Sequence, residues 1–266
     1  NGLVNPWDIT GEDNSGYGKI IATRGTSRWQ ASEGPEVTYR DGYYYLFLAY
    51  GSLSVEYNTR VGRSRNIDGP YVDIHGNSAM GSAQLYPILT APYRFDNSYG
   101  WVGISHCSIF DDGAGNWFDT AQGRFPVNVG GNEDSNAIMM GHVRSIRWDA
   151  NGWPLVMPER YGAVPQAPIT ENEIAGDWEH LALTTSTGTQ RTSETMTYDL
   201  GTHKITSGSW KNATWTFDAA TQTITTSAGV VLYLQREVDW EASPRTHTIV
   251  YAAQSNQKTY WGKKLQ

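Results

Sequence analysis

Glu33 stands in the run Ser32-Glu33-Gly34-Pro35-Glu36-Val37, immediately ahead of the aromatic segment 43–50. Gly34 lets the backbone approach its neighbours closely and Pro35 fixes φ, so a carboxyl at this bend is held and cannot swing freely. A held carboxyl that keeps its proton can pass it to a departing oxygen, the general-acid step that opens a glycosidic bond. Glu33 is the candidate acid. The competing reading is a surface carboxylate in a turn, or the partner of an arginine such as Arg28. Glu36 is read as structural.

His106 is the second residue whose type invites chemistry. It lies in the apolar run 102–110, which reads as an inner strand closed by the turn Asp111-Asp112-Gly113. A lone histidine in such a strand is as often a satisfied core residue as a ligand. The other five histidines are scattered without ligand spacing. Arg60 and Arg63 alternate with apolar residues on one strand and suit salt bridges between neighbouring sheets. Gly113, Gly115, Gly130 and Gly131 precede no helix, so they cradle no phosphate.

The elements that must position these residues are strands. Short β-branched and aromatic runs alternate with Gly, Asn, Asp and Pro clusters, and no strong helical period is present. Residues 36–50 predict a hairpin, with Arg40-Asp41-Gly42 as its tight turn. Further strands are predicted over 57–64, 102–110, 116–121, 139–148 and 153–157. Meanders of this spacing fit propeller blades, although periodicity alone does not separate a propeller from a sandwich or barrel. Prolines at 158, 165 and 168 mark a break, beyond which the chain becomes Thr-rich. About seven more short strands follow, at 194–200, 204–210, 214–217, 221–226, 230–235, 246–252 and 259–263, most simply a small closed barrel. The division falls into 1–165 and 166–266.

Composition bounds the partners. The 266 residues carry a net charge of −7 without a run of Lys or Arg, which argues against nucleic acid and against an anionic membrane surface. No stretch approaches the ~18 apolar residues of a membrane span. Neutral polymers remain, and 11 Trp with 16 Tyr against 6 Phe supply flat faces with polar tips that stack on sugar rings. The single Cys107 excludes an internal disulfide. A Cys-poor chain fits bacterial secretion, extracellular or periplasmic, and also the cytoplasm. The opening Asn1-Gly2-Leu3-Val4 has neither an initiator Met nor a leader pattern and reads as a cut end.

Seven motifs then stand in a meaningful order: Glu33-Gly34-Pro35, Tyr57-Asn58-Thr59-Arg60-Val61-Gly62-Arg63-Ser64, Asp68-Gly69-Pro70-Tyr71-Val72-Asp73, Ser105-His106-Cys107-Ser108-Ile109-Phe110, Val143-Arg144-Ser145-Ile146-Arg147-Trp148, Gly152-Trp153-Pro154-Leu155-Val156, and Pro158-Glu159-Arg160-Tyr161. Each is weak alone, and the ordered set is specific. It resembles the later blades of the five-bladed β-propeller of family 43 glycoside hydrolases, the arabinanases, over roughly residues 20–165. The tail, from Ile174-Ala175-Gly176-Asp177-Trp178 to Tyr260-Trp261-Gly262-Lys263-Lys264, looks like the extra C-terminal β-barrel of two-domain arabinanases.

The resemblance implies an all-β chain, the later propeller blades followed by a small barrel. It implies hydrolysis of α-1,5-L-arabinofuranosyl linkages in arabinan or arabino-oligosaccharides, endo or exo, with inversion. Three carboxylates serve that family, and Glu33 matches the acid. The base Asp and the Asp that tunes the acid lie upstream there, on motifs that Asp8 and Asp13 do not match. Activity is therefore expected only with the N-terminal fragment of the same propeller supplied as a second polypeptide. The resemblance also implies a metal, often calcium (Ca2+), held by His106 and waters on the propeller axis. Trp29 and Tyr57 are candidates for stacking on arabinose, and Asn58 for a hydrogen bond to a sugar hydroxyl; packing between blades explains each equally well. The alternative function is a non-catalytic, lectin-like propeller that binds carbohydrate.

Overall fold

The predicted hairpin forms, but its first strand begins earlier than the sequence suggests and takes Glu33 into the sheet. In the computed structural model, which describes residues 18–23, 32–81, 85–96, 98–184 and 190–266, β1 (Ser32–Arg40) pairs antiparallel with β2 (Tyr43–Tyr50). Arg40 faces Tyr43 across a two-residue turn in which Asp41 and Gly42 both take positive φ, 48° and 82°. That turn matches the right-handed twist of paired strands. β3 (Asn58–Ser64) and the short β4 (Ile88–Thr90) complete a meander in the order β1-β2-β3-β4.

β5 (Tyr93–Arg94) leads into a second meander of β6 (Val102–Asp111), β7 (Trp117–Arg124), β8 (Met139–Trp148) and β9 (Pro154–Val156), again in sequence order. The two sheets are blades packed face to face. β2 shows why: Tyr45 and Phe47 enter the core shared with the second sheet, while Leu46, Leu48 and Tyr50 fill a separate core on the opposite face. A strand buried on both faces carries a continuous apolar run, as this one does. The first strand of each blade is the inner one. β1 and β6 lie side by side, with the Thr38 hydroxyl donating to the Ile109 carbonyl at 3.5 Å.

After the single-turn α1 (Glu171–Ile174), capped by the reciprocal Thr170–Glu173 box, the chain forms β10 (Gly176–Leu183), β11 (Arg191–Thr192), β12 (Glu194–Asp199), β13 (Lys204–Ile205), β14 (Trp215–Asp218), β15 (Thr223–Thr226), β16 (Val231–Asp239), β17 (Thr246–Ser255) and β18 (Lys258–Lys264). Eight of these make one sheet in the order β13-β12-β10-β18-β17-β16-β15-β14. Its ends meet, because Ile205 N donates to Ala213 O at 2.8 Å and Trp215 N to His203 O at 2.9 Å. Trp178, Met196, Tyr198, Trp215, Ile224 and Leu232 fill the barrel. The outer side of β10, β17 and β18 packs Leu181, Leu183, Val250, Ala252 and Trp261 into the core of the blades. β11 leaves the barrel and pairs in parallel with β5.

Candidate active site

A β-bulge aims Glu33. Glu33 pairs with Ala49 and Glu36 with Phe47, so Gly34 and Pro35 together oppose Leu48 alone. The extra residue is absorbed at Gly34, whose φ is 55°, and such bulges bend a strand and redirect its side chains. Pairing puts Glu33 and Glu36 on one side of β1 despite their odd spacing. Glu36 reaches Ser108 of β6, whose hydroxyl donates to it at 3.4 Å.

The Glu33 carboxyl is caught by Tyr57. The phenol donates to Glu33 Oε1 at 2.5 Å, and the phenol oxygen itself lies 3.2 Å from Nδ1 of His106. Three residues that the sequence singled out thus meet, Glu33 near the start of β1, Tyr57 just ahead of β3 and His106 midway along β6. The histidine is held from behind as well. A Cβ on Gly34 would stand 2.8 Å from its Cδ2, so only glycine lets β1 lie against the imidazole. His106 itself has a φ of 58°, an unusual backbone state for a residue with a side chain. Both Glu33 and His106 open to solvent, whereas the Tyr57 ring is 1% exposed.

Burial, and then the bond to Glu33, raise the Tyr57 phenol above its ordinary value. It therefore stays neutral and remains a donor. Behind the site, burial followed by the charge of Asp119 pushes the Cys107 thiol well up, so it is an inert core thiol.

Burial takes Tyr57 out of the stacking role, since neither ring face is free; its contact with the site runs through the hydroxyl. Asn58 is also committed locally. Its amide donates to the carbonyls of Tyr50 at 3.0 Å and Glu56 at 2.9 Å, and its oxygen accepts from Arg60 Nε at 2.8 Å. It shapes the β2–β3 turn and is not directed at a sugar. Trp29, Asp8, Asp13 and Arg28 lie outside the described residues. Arg63 does join the blades, although through the Asn151 carbonyl and aromatic rings in place of a salt bridge.

The model of glycosyl hydrolases family 43 matches residues 5–154, and that of a C-terminal lipocalin-like domain matches residues 158–262. The chain belongs to glycosyl hydrolases family 43. Among the relatives of this family 43 chain is an extracellular endo-α-(1→5)-L-arabinanase 2 of Bacillus subtilis. It is 30% identical over 186 residues, which cover 62% of this chain and 38% of that enzyme. An extracellular endo-α-(1→5)-L-arabinanase of Thermotoga petrophila is 30% identical over 185 residues, covering 62% and 37%. The chain thus spans well under half the length of the curated relatives it matches. A crystal structure of a family 43 glycoside hydrolase, the YxiA protein of Bacillus licheniformis, superposes with a TM-score of 0.78 at 26% identity, covering 94% of this chain and 58% of that one. The T. petrophila endo-1,5-α-L-arabinanase superposes at 0.79 and 23% identity, covering 99% and 61%, which establishes the shared propeller-and-barrel fold.

The donor set around His106 is a poor one for calcium, which takes six to eight oxygen ligands. His106 offers one imidazole nitrogen, with Nδ1 already turned to Tyr57. Among the described residues the convergence of three ligating side chains is Glu159, Asp239 and Glu241, far along the chain, and Lys263 Nζ already contacts all three.

Proposed function

We propose that this chain carries the general acid of an inverting 1,5-α-L-arabinanase and that Glu33 is that acid. One observation carries the reading: the Glu33 carboxyl is fixed at a bulge on an inner strand and tied through Tyr57 to His106 of the next inner strand. Such a group would deliver its proton to the glycosidic oxygen as the bond to the anomeric carbon breaks. A water on the opposite face would attack, activated by a carboxylate roughly 6.5–9.5 Å from the acid. Among the described residues no other carboxylate hydrogen-bonds to Glu33, Tyr57 or His106. The base and the orienting Asp would come from the remaining propeller blades. The names of the relatives support arabinan as the substrate and an extracellular place of action. No helix among the described residues is long and apolar enough to cross a membrane.

The test is product release from linear arabinan by this chain with and without the remaining blades, offered as a second polypeptide, and with Glu33→Gln in the active form. Turnover should require the added blades. The Gln variant should lose about 100-fold or more in kcat while still binding arabino-oligosaccharide. A variant that keeps most of its rate on this poor leaving group would refute the assignment.

A further inference from the structure

The geometry points to Tyr57 as the positioning residue of the acid, one that forces the transferable proton onto a single oxygen of Glu33. This rests on Glu33 being the acid. The phenol has one hydrogen, and at 2.5 Å it is given to Oε1. In a protonated carboxyl the oxygen that accepts is the carbonyl oxygen, and the other carries the hydrogen. With Oε1 occupied as acceptor, the proton sits on Oε2. With that hydrogen given to Oε1, the phenol oxygen accepts from His106, so Nδ1, 3.2 Å away, carries a hydrogen. The relay we propose thus runs from Nδ1–H through the phenol to Oε1.

Each part of this relay is locked. The Tyr57 ring is 1% exposed and cannot rotate away. His106 is pinned between its own left-handed backbone and the bare Cα of Gly34. The phenol stays neutral, so it neither takes the proton from Glu33 nor supplies a competing one. The bond also strengthens during the reaction. As Oε2 releases its proton to the leaving oxygen, the carboxyl becomes a carboxylate, and a donor to an ionised acceptor is worth about twice one to a neutral acceptor. Stabilisation that grows along the reaction raises kcat and leaves ground-state binding alone.

The test is Tyr57→Phe in the arabinan-active protein, with kcat and KM measured on two substrates. On an arabino-oligosaccharide, whose alkoxide leaving group needs the proton, kcat should fall about 100-fold with KM little changed. On an aryl arabinoside with an acidic phenol as leaving group, which needs little protonation, the fall should stay below about 5-fold. Equal losses on the two substrates, or no loss on either, would overturn the proposal. A second measurement needs no turnover: nitrogen NMR of this chain with labelled histidine should show His106 as the Nδ1–H form, and Tyr57→Phe should release it to a mixture. An Nε2–H form in the unaltered chain overturns the relay as well. If Glu33→Gln kept its activity, the acid assignment itself would fail. If Glu33→Gln were inactive while Tyr57→Phe behaved alike on both substrates, the role of Tyr57 alone would fail.

Discussion

At the scale of single residues, the site depends on an absent side chain as much as on those present. Gly34 combines a φ of 55° with contact against the His106 ring. An alanine there carries about 1–2 kcal/mol of backbone strain and drives a methyl into the imidazole. Gly34→Ala should therefore lower the urea midpoint and, by shifting His106 and the Tyr57 bond, cut turnover by about 100-fold, the scale of an ångström misplacement. A variant with unchanged activity would show that the bulge does not set the acid. Glu33 could be proposed from the sequence because Gly-Pro beside a carboxylate is a local signal. The part proposed for Tyr57 could not, since it depends on bringing positions 33, 57 and 106 together. Its aromatic type suggested stacking, and only burial decides between a ring face and a hydroxyl. For Asn58 the same ambiguity resolved towards the turn that it closes.

At the scale of elements, strand existence was legible wherever one face alternates and a turn residue marks the end. β2, β3, β6 and β8 follow the expected segments within about a residue or two, the usual uncertainty of such boundaries. β4 and β5 are three and two residues long, too short to show a period. β10 was missed because Glu179 and His180 interrupt its apolar pattern, yet both are buried, at 4% and 2% exposure. Their partners come from distant elements: Glu179 accepts from Ser193, and His180 meets the Tyr251 hydroxyl. The blades are stapled by the same kind of long-range contact. The Arg63 guanidinium of β3 lies 4.3 Å from the Tyr43 ring and 4.2 Å from that of Trp153, and donates to Asn151 O at 2.7 Å. Arg63→Met keeps the stem and loses the charge, so unfolding by urea should show a loss of about 1–2 kcal/mol. A loss under about 0.5 kcal/mol would mean that the staple is incidental.

At the scale of the whole molecule, blades and barrel are joined by an apolar core with a charged centre. Lys263 of β18 is 2% exposed in its side chain, and its ammonium lies 2.8 Å from Glu241, 2.9 Å from Asp239, 3.4 Å from Glu159 and 3.5 Å from Glu179. Arg144 also acts on Glu159 and Arg160 on Glu241, yet three cations against four carboxylates still leave excess negative charge in a dry place, which is costly unless a proton stays behind. Glu159 keeps it. Burial, reinforced by neighbouring Glu241, pushes its carboxyl well above the usual range. Burial also acts to raise Glu241, but the hydrogen bond from Glu159 and the charge of Lys263 more than offset this and hold it down. Since the folded pKa of Glu159 is raised, its contribution to stability is complete below its unfolded value and is lost as pH climbs through the folded one. Glutamine is shaped like the protonated acid, can donate to Glu241, and does not ionise. Glu159→Gln should therefore match the parent chain in urea unfolding near pH 4.5 and exceed it increasingly as pH rises, by about 1.4 kcal/mol for each pH unit between the unfolded and the folded pKa, levelling off above the folded one. Parallel curves across that range would place the proton elsewhere in the cage. A Gln variant weaker at every pH would mean that Glu159 serves Lys263 as a charge, and that the blades and barrel are held by a full ion cluster.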